Sequence, residues 1–297
     1  MLNTSSKLDI RKIIHHFNQA AETYPTVSIL QKEVGLQLIQ RLSFIKIEPK
    51  TILDLGCGTG FFTPYLKKCF PNATIISLDI AFNMLTMAKK KAKWFSKPSL
   101  ICAASGNLPF SNHSIDFIFC NQVFHWDTAI QKTLLELKRI LTPNGLLLFS
   151  TLGPDTLKEL RFCWQEIDSY QHIHTFLDMH DIGDMLVQTG FYDPVMDSQY
   201  MTLAYKDIHT LFHELKANGA SNASLYQNPS LSGKNKLANC SQKYENFRTA
   251  ENRLPATFEI LFGHAWQPLP HNQNTLHEIG IPLSAIKKRL ASEVKET

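Results

Sequence analysis

The 297-residue sequence predicts an α/β, Rossmann-like protein: a seven-stranded, mostly parallel sheet with helices on both faces and a helical cap. Three observations point there. Short apolar runs alternate with segments of helical periodicity between residues 51 and 151. The first run, in "TILDLGCGTGFF" (51–62), ends in Asp54 and a turn with glycine at 56, 58 and 60. The second run ends in another acid, Asp79, 19 residues after Gly60.

Taken in order, residues 8–45 carry helical periodicity (Ile10, Ile13, Ile14, Phe17, then Val34, Leu38, Leu42), interrupted at Pro25, and predict two helices. Residues 52–55 predict a strand and 61–70 a helix. "ATIISLD" (73–79) predicts a strand, and 81–95 a helix carrying Met84, Leu85 and Ala88. "SLICAA" (99–104) and "SIDFIFC" (114–120) are two more strands. A helix over about 127–141 is stopped by Pro143, with Asn144-Gly145 as the turn into "LLLFST" (146–151). Beyond the regular alternation, 153–167 opens as a helix with Pro154 and Asp155, and 178–189 is a helix ended by Gly190. Residues 193–205 read as a strand, 206–217 as a helix, 219–235 as a polar loop followed by a helix to about 252, and 255–266 as the last strand. The chain divides into N-terminal helices (1–48), a core (49–152), a cap with the last two strands (153–266) and a polar tail (267–297) with a short amphipathic segment around 283–291.

Composition narrows the classes. Hydrophobic residues at 44% and charged residues at 19% suit a globular core, and a net charge of +4 is too small to argue for nucleic acid. There is no run of 18 apolar residues and no apolar segment in "MLNTSSKLDIRK", so the expectation is a cytoplasmic protein without membrane association. The six cysteines (57, 69, 102, 120, 163, 240) form no CxxC pair and no cluster with histidine, which reads as free thiols in a reducing compartment and no metal site.

The glycine turn is a place to hold a nucleotide-like ligand, because glycine lets a ligand approach the main chain without a Cβ in the way. Its pattern is D-x-G-x-G-x-G rather than G-x-G-x-x-G. An acid ahead of the glycines favours a ligand with a cationic amino-acid end over a pyrophosphate, and an acid at Asp79 suits ribose hydroxyls. S-adenosylmethionine has both features. The bland alternative is a turn that only joins strand to helix.

"ILDLGCGTG", "SLDIAFNML", "LPFSNHSIDFIFCNQVFHW" and "LKRILTPNGLLLFST" resemble the successive motifs of class I S-adenosylmethionine-dependent methyltransferases over about residues 50–151. The resemblance implies cofactor contacts from Asp54, Gly56, Cys57, Gly58, Gly60, Asp79, Ile80, Met84, Ala104, Ser105 and Asn121. One position departs from the pattern. Where the third strand ends, the family usually has an aspartate for the adenine amino group, and here "CAASGNLPF" puts Ala104 there.

"HHFNQAAETY" (15–24), "STLGPDTLKELR" (150–161), "LKANGASN" (215–222) and "LPATFEILFGHAW" (254–266) resemble the malonyl-[acyl-carrier protein] O-methyltransferases of biotin synthesis, from about residue 10 to 266. That family is implied to methylate the free carboxylate of a malonyl thioester, masking its charge so that the chain can be elongated toward pimeloyl. A carboxylate is already ionised at neutral pH, so no general base is needed and no catalytic residue is expected. The protein must instead hold the nucleophile about 3 Å from the methyl in a dry site. Arg161 is the candidate reader of the carboxylate, by the fork geometry of its guanidinium, against an exposed helix arginine. Tyr24 is expected to close over the cofactor, or else to pack ahead of Pro25, and His125 and Trp126 to wall the substrate pocket. The lysines of "KKKAK" (89–93) form a solvated face or a contact for the acidic carrier protein. Two other readings stay open: a methyltransferase for another small acid or a quinone-type ring, which would need a base such as His125, and a cofactor-binding assembly factor, since "DTLKELR" also resembles the mitochondrial complex I assembly factor.

Overall fold

The computed structural model describes residues 8–91, 99–228 and 233–269. Its centre is one seven-stranded sheet of β1 (Thr51–Leu55), β2 (Thr74–Asp79), β3 (Ser99–Cys102), β4 (Ile115–Asn121), β5 (Leu141–Leu152), β6 (Tyr192–Tyr205) and β7 (Leu254–Trp266), in the order β3-β2-β1-β4-β5-β7-β6. The first five strands run parallel, and β7 lies antiparallel between β5 and β6. Strand order reverses between β1 and β4, which opens a crevice at their carboxyl ends.

Central strands here are apolar on both faces because both faces are covered. Ile52 and Phe117 pack with Val34 and Leu38 of α3 (Ile29–Arg41) and Leu66 of α4 (Thr63–Cys69). Leu53, Leu55 and Ile118 pack on the other side with Leu134 and Leu137 of α6 (Ile130–Ile140) and Leu186 of α8 (Met179–Thr189). These side chains are almost wholly buried, each worth roughly 1.5–3 kcal/mol of transfer free energy.

Three local readings are corrected. Pro25 does not break a helix but sits in the first turn of a short one, α2 (Tyr24–Val27), and the breaks fall on either side of it, after α1 (Ile10–Ala20) and at Ser28. Pro143-Asn144-Gly145 is not a turn between helix and strand. α6 ends at Ile140, Leu141 already pairs with Ile115, and the register then jumps so that Phe117 faces Leu146. The three residues form an irregularity within β5, with Asn144 left-handed at φ 59°. Residues 153–157 are not helical either, because β7 holds them: the Leu157 amide donates to Thr257 O at 2.6 Å, and α7 (Lys158–Gln165) begins only afterwards.

α5 (Phe82–Lys91), α9 (Ile208–Ala217) and α10 (Lys234–Tyr244) complete the described elements. α1 is clasped to α5, where Asn18 Oδ1 accepts the Asn83 amide at 2.8 Å, and α7 packs on α10. Part of the "KKKAK" run and the amphipathic segment at 283–291 lie outside the described residues.

Candidate active site

A cavity of about 900 Å³ lies over the carboxyl ends of β1, β2 and β4, where the strand order reverses. Of the residues expected from sequence, Tyr24, Gly56, Gly58, Asp79, Ile80, Met84, Ala104, Ser105, Asn121, His125 and Trp126 line it. They come from five separate stretches of chain.

Asp79 closes the glycine turn on itself. Its Oδ2 accepts the Gly58 amide at 2.9 Å and its Oδ1 the Ala81 amide at 2.8 Å. Burial raises its carboxyl above the usual range, and those amides act against the shift. Gly58 is left-handed (φ 53°), and a Cβ there would meet only Tyr24 Cε1 at 3.7 Å, so the turn presents open main chain to the cavity. Tyr24 is half-buried against this turn, its phenol pushed up by burial and by Asp79.

The opposite wall is aromatic and uncharged. Trp126 stands with its ring 5.3 Å from His125, 5.1 Å from His174 and 5.3 Å from Phe17. Burial lowers the His125 imidazole to about 3, with His174 adding to the effect, and lowers His174 to about 4. Both rings are neutral at physiological pH. His174 Nε2 accepts the Ala223 amide at 3.0 Å, which leaves the ring proton on Nδ1. Leu160, Trp164, Leu203, Phe212 and Phe258 extend this wall into the cap.

Four expected residues are not on the cavity wall. Asp54 faces the α4 side of the sheet, where Thr63 Oγ1 donates to it at 3.2 Å; it is 2% exposed, and burial lifts its carboxyl to about 7. Cys57 is buried, its amide donating to Leu78 O. Gly60 serves packing, since a Cβ there would come within 3.1 Å of Ala88 Cβ. Arg161 donates through Nη2 to the carbonyls of Thr156 at 3.1 Å and Pro154 at 3.3 Å, beside cavity residues Thr156, Leu157 and Leu160.

The cavity also holds groups that sequence reasoning passed over. Gln31 Oε1, Gln122 Nε2 and Asn218 Oδ1 are buried without a hydrogen-bond partner, and all three residues line the wall. Gln122 directly follows β4 with φ 60°, so its place beside Asn121 was within reach of a motif reading, and Asn218, just past α9, lies inside the "LKANGASN" stretch; Gln31 comes from α3 with no such signal. His172 and His174 lie in an irregular segment without periodicity. Among the described residues, no group of three or more His, Cys, Asp or Glu side chains is placed to hold a metal ion.

Residues 53–149 match the family model described as a methyltransferase domain. The chain is 42% identical over 269 residues to the malonyl-[acyl-carrier protein] O-methyltransferase of Gallionella capsiferriformans, covering 89% of this chain and 92% of that one. It is 38% identical to the protein of the same name from Legionella pneumophila, covering 92% and 96%. This chain belongs to the malonyl-[acyl-carrier protein] O-methyltransferase family. Among solved structures, the YcgJ protein of Bacillus subtilis superposes with a TM-score of 0.57 at 12% identity, over 80% of this chain and 100% of that one, a likeness of fold. The sheet order and the mostly parallel pairing are those expected of the class I methyltransferase fold.

Proposed function

We propose that this protein transfers the methyl group of S-adenosylmethionine to the free carboxylate of malonyl-[acyl-carrier protein]. The observation that carries the reading is the extent of the similarity: 38–42% identity runs over about nine-tenths of the chain and so takes in the cap that lines much of the cavity, not the methyltransferase core alone.

The residues present fit the cofactor. Asp79 is an acceptor for ribose hydroxyls, and Gly58 leaves room for a ligand against the main chain. The unpaired Gln122 Nε2 and Gln31 Oε1 are a donor and an acceptor of the kind a zwitterionic amino-acid end needs, and Asn121 Nδ2 donates to the Gln31 main-chain carbonyl at 3.0 Å. Asp54, buried and with its carboxyl lifted to about 7, is a group that an ammonium on the far side of the turn would drive toward full ionisation. Gly56, Ile80, Met84, Ala104 and Ser105 supply the remaining wall, and Cys57 and Gly60 the shape of the turn. Bound S-adenosylmethionine supplies an electrophilic methyl.

The protein's own task is positioning. Tyr24, His125 and Trp126 exclude water, and Arg161 reads the carboxylate from the first half of α7, beside the 153–157 turn. No step calls for a base, and His125 at about 3 is too weak to serve a ring hydroxyl, which favours an acid substrate over a quinone-type one. The product is the malonyl methyl ester that primes pimeloyl and hence biotin synthesis. A cytoplasmic location suits the six free cysteines. Expression in a biotin-requiring bacterium lacking its own enzyme of this family tests the role. Growth without biotin is expected from the wild type and not from Asp79→Ala; failure of a well-expressed wild type would count against it.

A further inference from the structure

Adenine carries an exocyclic amine, and a site that selects adenine needs an acceptor for it. The end of β3, where Ala104 stands, offers no side-chain oxygen. The next residue does lead to one. Ser105 Oγ donates to Asp127 Oδ2 at 3.0 Å, and Thr133 Oγ1 bonds Ser105 Oγ at 3.1 Å. Ala104, Ser105 and Asp127 all line the cavity, so a carboxylate from the segment after β4 stands beside the position that lacks one.

We infer that Asp127 is the adenine-amine acceptor of this chain, taking the role that Ala104 cannot fill. The inference rests on the placement of the ribose at Asp79 proposed above. The carboxylate has capacity to spare. Oδ2 accepts from Ser105 and Oδ1 from the Ala129 amide at 2.7 Å, and each oxygen has a second acceptor site. Among the described residues no ion pair occupies Asp127, so its charge is not already matched. Ser105 and Ala129 fix its orientation from opposite sides, so little rotamer freedom remains to be lost on binding. The arrangement also explains how an alanine is tolerated at the end of β3: the acceptor has moved to another strand's loop, and Ser105 connects the two.

Asp127 also forms the bend into α6 through the Ala129 amide, and a purely structural role would predict no discrimination between nucleobases. The test is calorimetric titration of S-adenosylhomocysteine and of its 6-deamino analogue, in which hydrogen replaces the amine. Wild type is expected to bind the deamino analogue roughly 10- to 100-fold more weakly, the range for a lost hydrogen bond to a charged group. Asp127→Ala should bind both compounds alike, at the affinity of wild type for the analogue. Ala104→Asp in the Asp127→Ala background should restore the preference for the amine. If Asp127→Ala does not fold, Asp127→Asn keeps the bend and should narrow the preference. Equal binding of the two compounds by wild type, or an undiminished preference in Asp127→Ala or Asp127→Asn, would overturn the assignment. Asp79→Ala should weaken both compounds equally. Unchanged binding there would instead remove the ribose placement, a distinguishable failure.

Discussion

Burial sets the charge of this site one residue at a time, and pH exposes it. The His125 and His174 imidazoles sit at about 3 and about 4 in the folded protein. The unfolded chain takes up protons below about pH 6.5 that the folded chain refuses, so stability falls as pH drops from about 6.5 toward about 4. The slope approaches about 1.4 kcal/mol per pH unit for each ring. Asp54 works in the opposite direction. At about 7 it stays protonated in the folded, ligand-free chain, whereas an unfolded carboxyl ionises above roughly pH 3.9, so stability falls as pH rises from about 4 to about 7. His125→Gln should flatten the first limb and Asp54→Asn the second, measured by urea unfolding across pH. An Asp54→Asn profile superimposable on wild type from pH 4 to 7 would show that the carboxyl is ionised. In the proposed function, substrate choice turns on Arg161. Arg161→Ala is expected to leave S-adenosylhomocysteine affinity unchanged while kcat/KM for malonyl-[acyl-carrier protein] falls roughly 30- to 1000-fold, the loss of a charge-assisted pair, with Arg161→Lys recovering part. If its bonds to Pro154 and Thr156 are its whole role, the melting temperature will fall and kcat/KM will not.

At the scale of elements, two of the stretches that carry the resemblance, 150–161 and 254–266, turn out to be one unit. The turn at 153–157 is bonded to β7: the Gly153 amide to Glu259 O at 2.9 Å, the Asp155 amide to Glu259 Oε2 at 2.8 Å, and Glu159 to the Thr257 amide at 3.2 Å. Gly153 has no room for a side chain, since a Cβ would fall 2.4 Å from Glu259 Cδ, and that carboxylate is anchored at both oxygens. Gly153→Ala should therefore cost about 1–3 kcal/mol by displacing the turn. It should lower kcat/KM for the thioester while S-adenosylhomocysteine affinity holds, because the glycine turn at 56–60 belongs to other strands. Equal losses in cofactor and substrate binding would contradict this. The same turn shows where sequence reading stops. The strands at 52–55, 114–120 and 255–266 were legible because apolar runs between turn residues are a local signal, and so was the acid-and-glycine cradle of Asp79 and Gly58. Residues 153–157 read as helix because Pro154 and Asp155 favour a helix start, whereas bonds to residues 103 and 104 positions away decide their conformation. His174 was illegible for the same reason: only the packed cap brings it to the cavity.

For the whole molecule, the cavity of about 900 Å³ is at the upper end of the size usual for one small-molecule site, and the proposed function asks it to hold two ligands. Its β1–β2 side carries Asp79 and open main chain, and its cap side carries mostly rings and aliphatic side chains, with Glu214 and Lys216 also on the wall. That division suits a charged nucleoside on the sheet and an acyl thioester under the cap, drawn together where water is excluded. Among the described residues no helix is long and apolar enough to cross a membrane. The most direct measurement is intact-mass spectrometry of malonyl-[acyl-carrier protein] incubated with the purified protein and S-adenosylmethionine, with acetyl-[acyl-carrier protein] alongside. The account predicts a mass gain of one methylene unit on the malonyl carrier and none on the acetyl carrier. No gain on the malonyl carrier with a folded, cofactor-binding protein, or an equal gain on both, would contradict it.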